Sequence, residues 1–364
     1  MPLPAWSRQG LGKRKTDPAL PGGDRRTFFS GKTSIRRLKC SGRELRRVAV
    51  SAVTDGKGRR MAQDDLIEPV IGVIGGSGLY EIEGLENREW RTCETPWGHP
   101  SDDLLFGTFD GVRCVFLPRH GRGHPLPPSR LNYRANIDVL KRAGVTDIIS
   151  LSSVGSLKEE LAPGHFVLPD QLIDQTRDRP RTFFEEGCVA QISMANPFSS
   201  RLLKVLGEEG HKLDMPLTVG GTYVTIEGPQ FDTRAESELY RSWGASVVGM
   251  TAMPEAVLAR EAEINYAVLA MVGDYDSWHA SHNTSGVENL LRIRQENSHR
   301  ACELLRKAIP ILGQPRPICP TGAERALDHA IITPADMRHP ALLARLDAVA
   351  GRVLFQNDDW DGEF

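Results

Sequence analysis

At 364 residues the chain is long enough to bury a sizeable core as one large domain or two, and its 40% hydrophobic and 25% charged residues are ordinary for a globular protein. A formal net charge of -2 argues against bulk electrostatic attraction to nucleic acid or membrane. Six scattered cysteines with no CxxC pair and no zinc-type spacing, together with the lack of a bilayer-length apolar run, point to a soluble cytoplasmic protein with reduced thiols and no metal site.

The near-neutral total hides an asymmetry. Residues 1–60 carry 16 Lys or Arg against 4 Asp or Glu, which leaves 29 basic and 43 acidic residues in the remainder. Residues 1–68 lack periodicity and read as a basic, disordered N-terminal extension; a nucleic-acid-binding or targeting arm is the sharper alternative. From Val70 the texture changes. VIGVIG (70–75), RCVFLP (113–118), DIISLS (147–152), SVVGM (246–250) and YAVLAMV (266–272) read as buried strands. Between them LNYRANIDVLKRAG (131–144) and TRAESELYRSWG (233–244) read as helices closed by Gly, and PEAVLAREAEI (254–264) as a helix with Pro in its first turn. A long helix over 287–309 is expected to stop at Pro310. Beyond Gly313 a Pro-rich stretch precedes one more helix over 340–354 and an acidic tail. The alternation predicts an α/β fold with a central mixed β-sheet flanked by helices, divided as 1–68, 69–312 and 313–364.

Chemistry concentrates where these strands should end. GGSGLY (75–80) lets backbone N–H groups and the Ser77 hydroxyl approach an anion, or is merely a tight turn. Arg119 and His120 follow a strand, where they form either a solvated pair or an anion fork. Ser152 and Ser153 offer adjacent hydroxyls that suit a cap or the same anion. In TIEGPQFDTRAES, Phe231 presents an aromatic face and Asp232 is an N-cap candidate; Met250 and Thr251 leave the next strand. DYD brings Asp274 and Asp276 to a strand tip. No catalytic triad, metal cluster or P-loop is present. The inventory suits a reaction in which phosphate attacks and a heteroaromatic base departs.

GVIGGSGLY, RHGRGH with NYRAN, VGSL, TIEGPQF with RAES, GMTAMPEA and DYDSW occur in an order that resembles the 5'-methylthioadenosine phosphorylases of the trimeric purine nucleoside phosphorylase family, across about residues 69 to 312. The resemblance implies attack of inorganic phosphate on C1' of S-methyl-5'-thioadenosine, with release of adenine and no cofactor. It implies a phosphate site of Ser77, Arg119, His120, Ser152, Ser153 and Thr251, with Met250 under the sugar and Phe231 beside the nucleoside. It further implies a homotrimer in which His124 contributes to a neighbour's site. Asp274 is assigned to purine N7 as the proton donor and Asp276 to the 6-amino edge, a pair whose mutual repulsion helps keep one member protonated.

Asp232 departs from this pattern and, with Val287, is assigned to specificity. Methylthioadenosine enzymes generally have serine at that place, and 6-oxopurine phosphorylases have glutamate. Set across the pocket from the acid pair, Asp232 keeps a 6-oxopurine nucleoside phosphorylase as the first alternative and a non-catalytic purine-binding relative as the second.

Overall fold

The computed structural model describes residues 66–76, 83–280 and 287–355, the last stretch with side chains from Leu291 onward. The basic arm and the acidic tail lie outside the described residues. In chain order the N-terminal half runs β1 (Ile71–Gly75), β2 (Glu86–Arg91), β3 (Leu104–Phe109), β4 (Val112–Pro118), α1 (Tyr133–Arg142), β5 (Asp147–Ser156), β6 (Phe166–Leu168) and β7 (Gln171–Gln175). It continues as α2 (Ser200–Lys212), β8 (Leu217–Val219), β9 (Thr222–Ile226), α3 (Arg234–Ser242), β10 (Val247–Gly249), α4 (Ala252–Glu261) and β11 (Asn265–Tyr275). Three helices close the chain: α5 (Val287–Leu312), α6 (Pro340–Arg345) and α7 (Asp347–Leu354).

The strands form one mixed sheet in the order β2-β3-β4-β1-β5-β10-β9-β7, with β11 on the other edge of β5 and β6 and β8 beyond it. β1, β4, β5 and β11 run parallel, and nearly all their residues are buried; that is why each reads as a continuous apolar run. β5 organises the rest. β1 pairs with its residues 147–150 and β10 with 155–156, whereas β11 follows the opposite edge through all ten residues. Residues 151–154 of β5 therefore have no strand partner on the edge that β1 leaves and β10 joins.

Caps set the short helices. The Asn132 side chain accepts from Ala135 N–H at the start of α1, and Thr233 and Glu236 form a reciprocal capping box on α3. Gly144 and Gly244 follow the two helix ends with φ of 82° and 79°, the left-handed conformation that a helix stop favours. Pro310 does not end α5. It lies in the last turn, where only one backbone bond is lost, and fully buried Ala308, Ile309 and Leu312 hold that turn against the core. The helix expected over 340–354 is two helices that break at Leu346, itself fully buried.

Residues 313–355 pack onto the same core, to which Leu327, Leu342, Leu346 and Val349 belong. Arg316 anchors them. Its Nη2 donates to both oxygens of fully buried Asp147 at 3.0 and 2.9 Å, and its Nη1 donates to Glu324. No described helix is long and apolar enough to cross a membrane.

Candidate active site

A cavity of about 660 Å³ opens where β5 loses its neighbour. It is bordered by Gly76 after β1, Arg119 after β4, residues 151–155 of β5, residues 248–251 around the end of β10, Met271, Gly273 and Asp274 of β11, and Asp276 just beyond it. Ligands of open α/β sheets bind in such crevices, where adjacent strands diverge and leave backbone and side chains unpaired.

One wall is rich in hydrogen-bond donors. The Arg119 guanidinium is 3% exposed and gripped by Glu255, with Nε to Oε1 at 2.6 Å and Nη2 to Oε2 at 3.2 Å. Nη2 also donates to Ser150 Oγ, and Nη1 donates to the Leu151 carbonyl at 2.7 Å. Four of its five N–H donors are thus engaged among the described residues, so the loose anion fork expected from sequence is a fixed one with a single Nη1 N–H to spare. Tyr266 and Ser150 hydroxyls complete the Glu255 carboxylate's shell, both donating to Oε2. His120 follows, its Nδ1–H donating to the Leu126 carbonyl at 2.8 Å and its ring stacked on His124 at 4.2 Å. Burial, then the Arg119 charge, depress His120 to about 4, so the imidazole is neutral at physiological pH with Nε2 as an acceptor. Ser152 Oγ lies 2.9 Å from the Tyr223 hydroxyl and 3.3 Å from Thr251 Oγ1, while Ser153 is exposed to the cavity.

The other wall is acidic. A bulge between Val272 and Asp274 adds Gly273 to β11, after which Asp274 pairs with Gly155 and Tyr275 with Ser156. Strict alternation would carry the face of Met271 on to residues 273 and 275; the extra residue hands it to 274 and 276. Met271, Asp274 and Asp276 accordingly all border the cavity. Asp276 is 3% exposed and its Oδ2 accepts from Ser237 Oγ–H of α3. Asp232 is not set apart from this pair: it lies against Asp276. Burial first, and the Asp276 charge second, push its carboxyl up to about 8. Ser277 Oγ–H donates to the Asp232 carbonyl at 2.8 Å and ties the two loops together.

Met250 and Phe231 also border the cavity, the latter 61% exposed. Ser77 falls outside the described residues, and Val287 opens α5 with its side chain outside them. Sequence reading missed Arg179, which clamps both rims: Nη1 donates to the Met250 and Met253 carbonyls at 2.7 Å each, and Nη2 to the Glu227 carbonyl. The only hint was RDRP in a stretch with no strand or helix pattern. Arg294 and Ser298 of α5 reach the cavity as well, from a helix read only for its length. Among the described residues no cluster of three or more His, Cys, Asp or Glu could hold a metal ion.

Residues 70–310 match the model of the phosphorylase superfamily. The chain is 54% identical over 288 residues to the S-methyl-5'-thioadenosine phosphorylase of Cereibacter sphaeroides, covering 79% of this chain and 99% of that one. It is 55% identical over 288 residues to the enzyme of the same name from Rhodospirillum rubrum, covering 79% and 98%. A solved methylthioadenosine phosphorylase from an antarctic soil metagenomic library superposes with a TM-score of 0.73 at 43% identity, over 78% of this chain and 99% of that chain. The methylthioadenosine phosphorylase of Schistosoma mansoni, solved with tubercidin, superposes with a TM-score of 0.63 at 36% identity, over 67% and 92%.

Proposed function

The chain belongs to the phosphorylase superfamily, and from that premise we propose that its cavity carries out phosphorolysis of S-methyl-5'-thioadenosine. Inorganic phosphate is the co-substrate; adenine and S-methyl-5-thioribose 1-phosphate are the products. The observation that carries the reading is one cavity with two chemically opposed walls, an arginine and hydroxyls on one side and three carboxyls on the other.

Phosphate sits against the Arg119 Nη1 N–H and the hydroxyls of Ser152, Ser153 and Thr251, and Ser77 contributes a further hydroxyl. Neutral His120 accepts a hydrogen bond from a phosphate O–H through Nε2, which favours the monohydrogen form. Because Glu255 fixes the guanidinium in advance, little reorganisation is needed when the nucleophile binds. The ribose rests on Met250, and Phe231 covers the nucleoside. As the C1'–N9 bond breaks, negative charge grows on the purine, and Asp274 donates a proton at N7 while Asp276 accepts from the 6-amino group. Val287 at the start of α5 and Asp232 tune specificity. The working assembly is a homotrimer in the cytoplasm, with His124 reaching a neighbour's site.

Purified protein given phosphate and methylthioadenosine should release adenine, assayed beside methylthioinosine, inosine and adenosine. Absence of phosphate-dependent cleavage of all four would sink the enzyme reading. Faster cleavage of the oxopurine nucleosides would move the substrate to that class.

A further inference from the structure

Asp232 is the one acid of the cavity whose carboxyl has been given no counterpart. Its Oδ1 and Oδ2 are both shielded from solvent, and the only groups in reach of them among the described residues are its own backbone N–H and the Asp276 carboxyl. An ionised carboxylate in that position would lack water and have few donors, and proteins escape that condition by keeping the group neutral. Asp276, against which it lies, is differently provided for. Asp276 Oδ2 accepts from Ser237 Oγ–H, and Ser237 Oγ in turn accepts from Trp278 N–H at 3.2 Å. That relay orients the hydroxyl toward Asp276.

The surrounding charges act in the same direction. Glu236 of α3 adds negative potential, itself held low by the Thr233 backbone N–H and hydroxyl. The charged or titratable groups of opposite tendency are Arg177, which acts on Glu236, and Arg294, His120 and His124, which border the cavity from other elements. Among the described residues no cation forms an ion pair with Asp232. Two carboxyls in contact, one with a hydroxyl donor and one without, are stable when they share a proton.

We propose that Asp232 and Asp276 hold one proton between them, and that this proton makes Asp232 the residue selecting a 6-aminopurine over a 6-oxopurine. The selection half rests on the nucleobase reading of the cavity given above. A one-proton pair offers one donor and one acceptor. The edge of a 6-aminopurine presents the complement, with N1 as acceptor beside the amino donor. On binding, the Asp232 O–H turns from Asp276 to N1, and the Asp276 carboxylate, released from that bond, accepts from the amino group. No covalent bond to carbon changes and no proton leaves the pair. A 6-oxopurine reverses both positions, placing its N1–H against the Asp232 O–H and its O6 against the Asp276 carboxylate. An aspartate here thus discriminates against oxopurines as long as it keeps its proton.

A ligand-free arm and a ligand arm test the two halves separately. The infrared difference spectrum between the full chain and its Asp232→Asn variant should contain a protonated-carboxyl C=O band at neutral pH that fades as pH rises past about 8. Absence of that band at neutral pH overturns the shared proton. Calorimetric titration of adenine and hypoxanthine in phosphate buffer, between about pH 6 and about pH 9, reads selection. Adenine affinity should be level at first and then decline by about tenfold per pH unit as Asp232 ionises. Asp232→Asn and Asp232→Ser, two donors that do not titrate, should both abolish that decline. Persistence of the decline in both variants, or tighter hypoxanthine than adenine in the parent at neutral pH, overturns the selection. Failure of the parent to bind either base, with the infrared band present, overturns the nucleobase reading and the selection with it, while the proton sharing stands on the spectrum.

Discussion

Asp274 and Asp276 reach the cavity together because a single extra residue, Gly273, shifts the pleat of β11. With Asp274 as proton donor to the leaving base, Asp274→Asn should lower adenine release by about 10²- to 10⁴-fold, the usual worth of a positioned general acid. The KM for phosphate should change little, because the anion wall belongs to other elements; equal losses in kcat and phosphate affinity would contradict the assignment. At this scale the sequence exposed the residue types and their order, since hydroxyls, Arg and acids at strand tips stand out against apolar runs. It hid their partners. The Arg119 fork is fixed by Glu255 and Ser150, both remote in sequence, and Asp232 meets Asp276 only through the packing of α3 against the end of β11. An N-cap reading of Asp232 was reasonable locally, yet Thr233 takes the cap.

Among the elements, β9 and β10 are locked by a close approach. A Cβ on Gly249 would stand 2.0 Å from the Tyr223 hydroxyl and 2.7 Å from its Cζ, so the glycine makes room for the phenol that reaches Ser152. Gly249→Ala should destabilise the protein by about 1–3 kcal/mol through overpacking. Adding Tyr223→Phe should recover part of that loss in urea unfolding, because the nearest clashing atom is gone; strict additivity of the two changes would refute the contact. Elements buried on both faces, such as β1, β5 and β11, were legible as apolar runs. β2, an exposed edge strand of sequence ENREWR, carries no such pattern. α2 was missed for another reason: Gly207 and Gly210 look like helix breakers, but a Cβ at either would meet Val219 or Leu217 at 2.8 Å, so both are small for packing. Pro310 misled in the opposite sense, because a proline in the last turn of α5 loses one bond and the buried residues around it outweigh that loss.

For the molecule as a whole, the segment after α5 is bound to the sheet at the end of β5 opposite the cavity. Arg316→Ala would leave fully buried Asp147 with Arg201 at 3.2 Å as its remaining cation. Unfolding in denaturant should then show a loss of about 3–5 kcal/mol, as for other broken buried pairs, with kcat retained at low temperature. Unchanged stability would remove the anchor role. The alternation of apolar strands and amphipathic helices pointed to the fold class, but it could not reveal that residues 313–355 complete the core, since that needs Arg316 placed beside Asp147.

The gap along β5 between its pairing with β1 and its pairing with β10 has a dynamic consequence. Main-chain amides within residues 151–154 that point to that edge have no strand partner. In deuterated solvent they should exchange far sooner than the β11-facing amides of the same strand, although the segment lies at the centre of the sheet. Phosphate bound against Ser152 and Ser153 should slow them. A time course with and without phosphate would therefore reveal a fast-labelling island inside a central, largely buried strand, quenched by a small anion; uniform protection along β5 in both states would show that the edge is closed in solution.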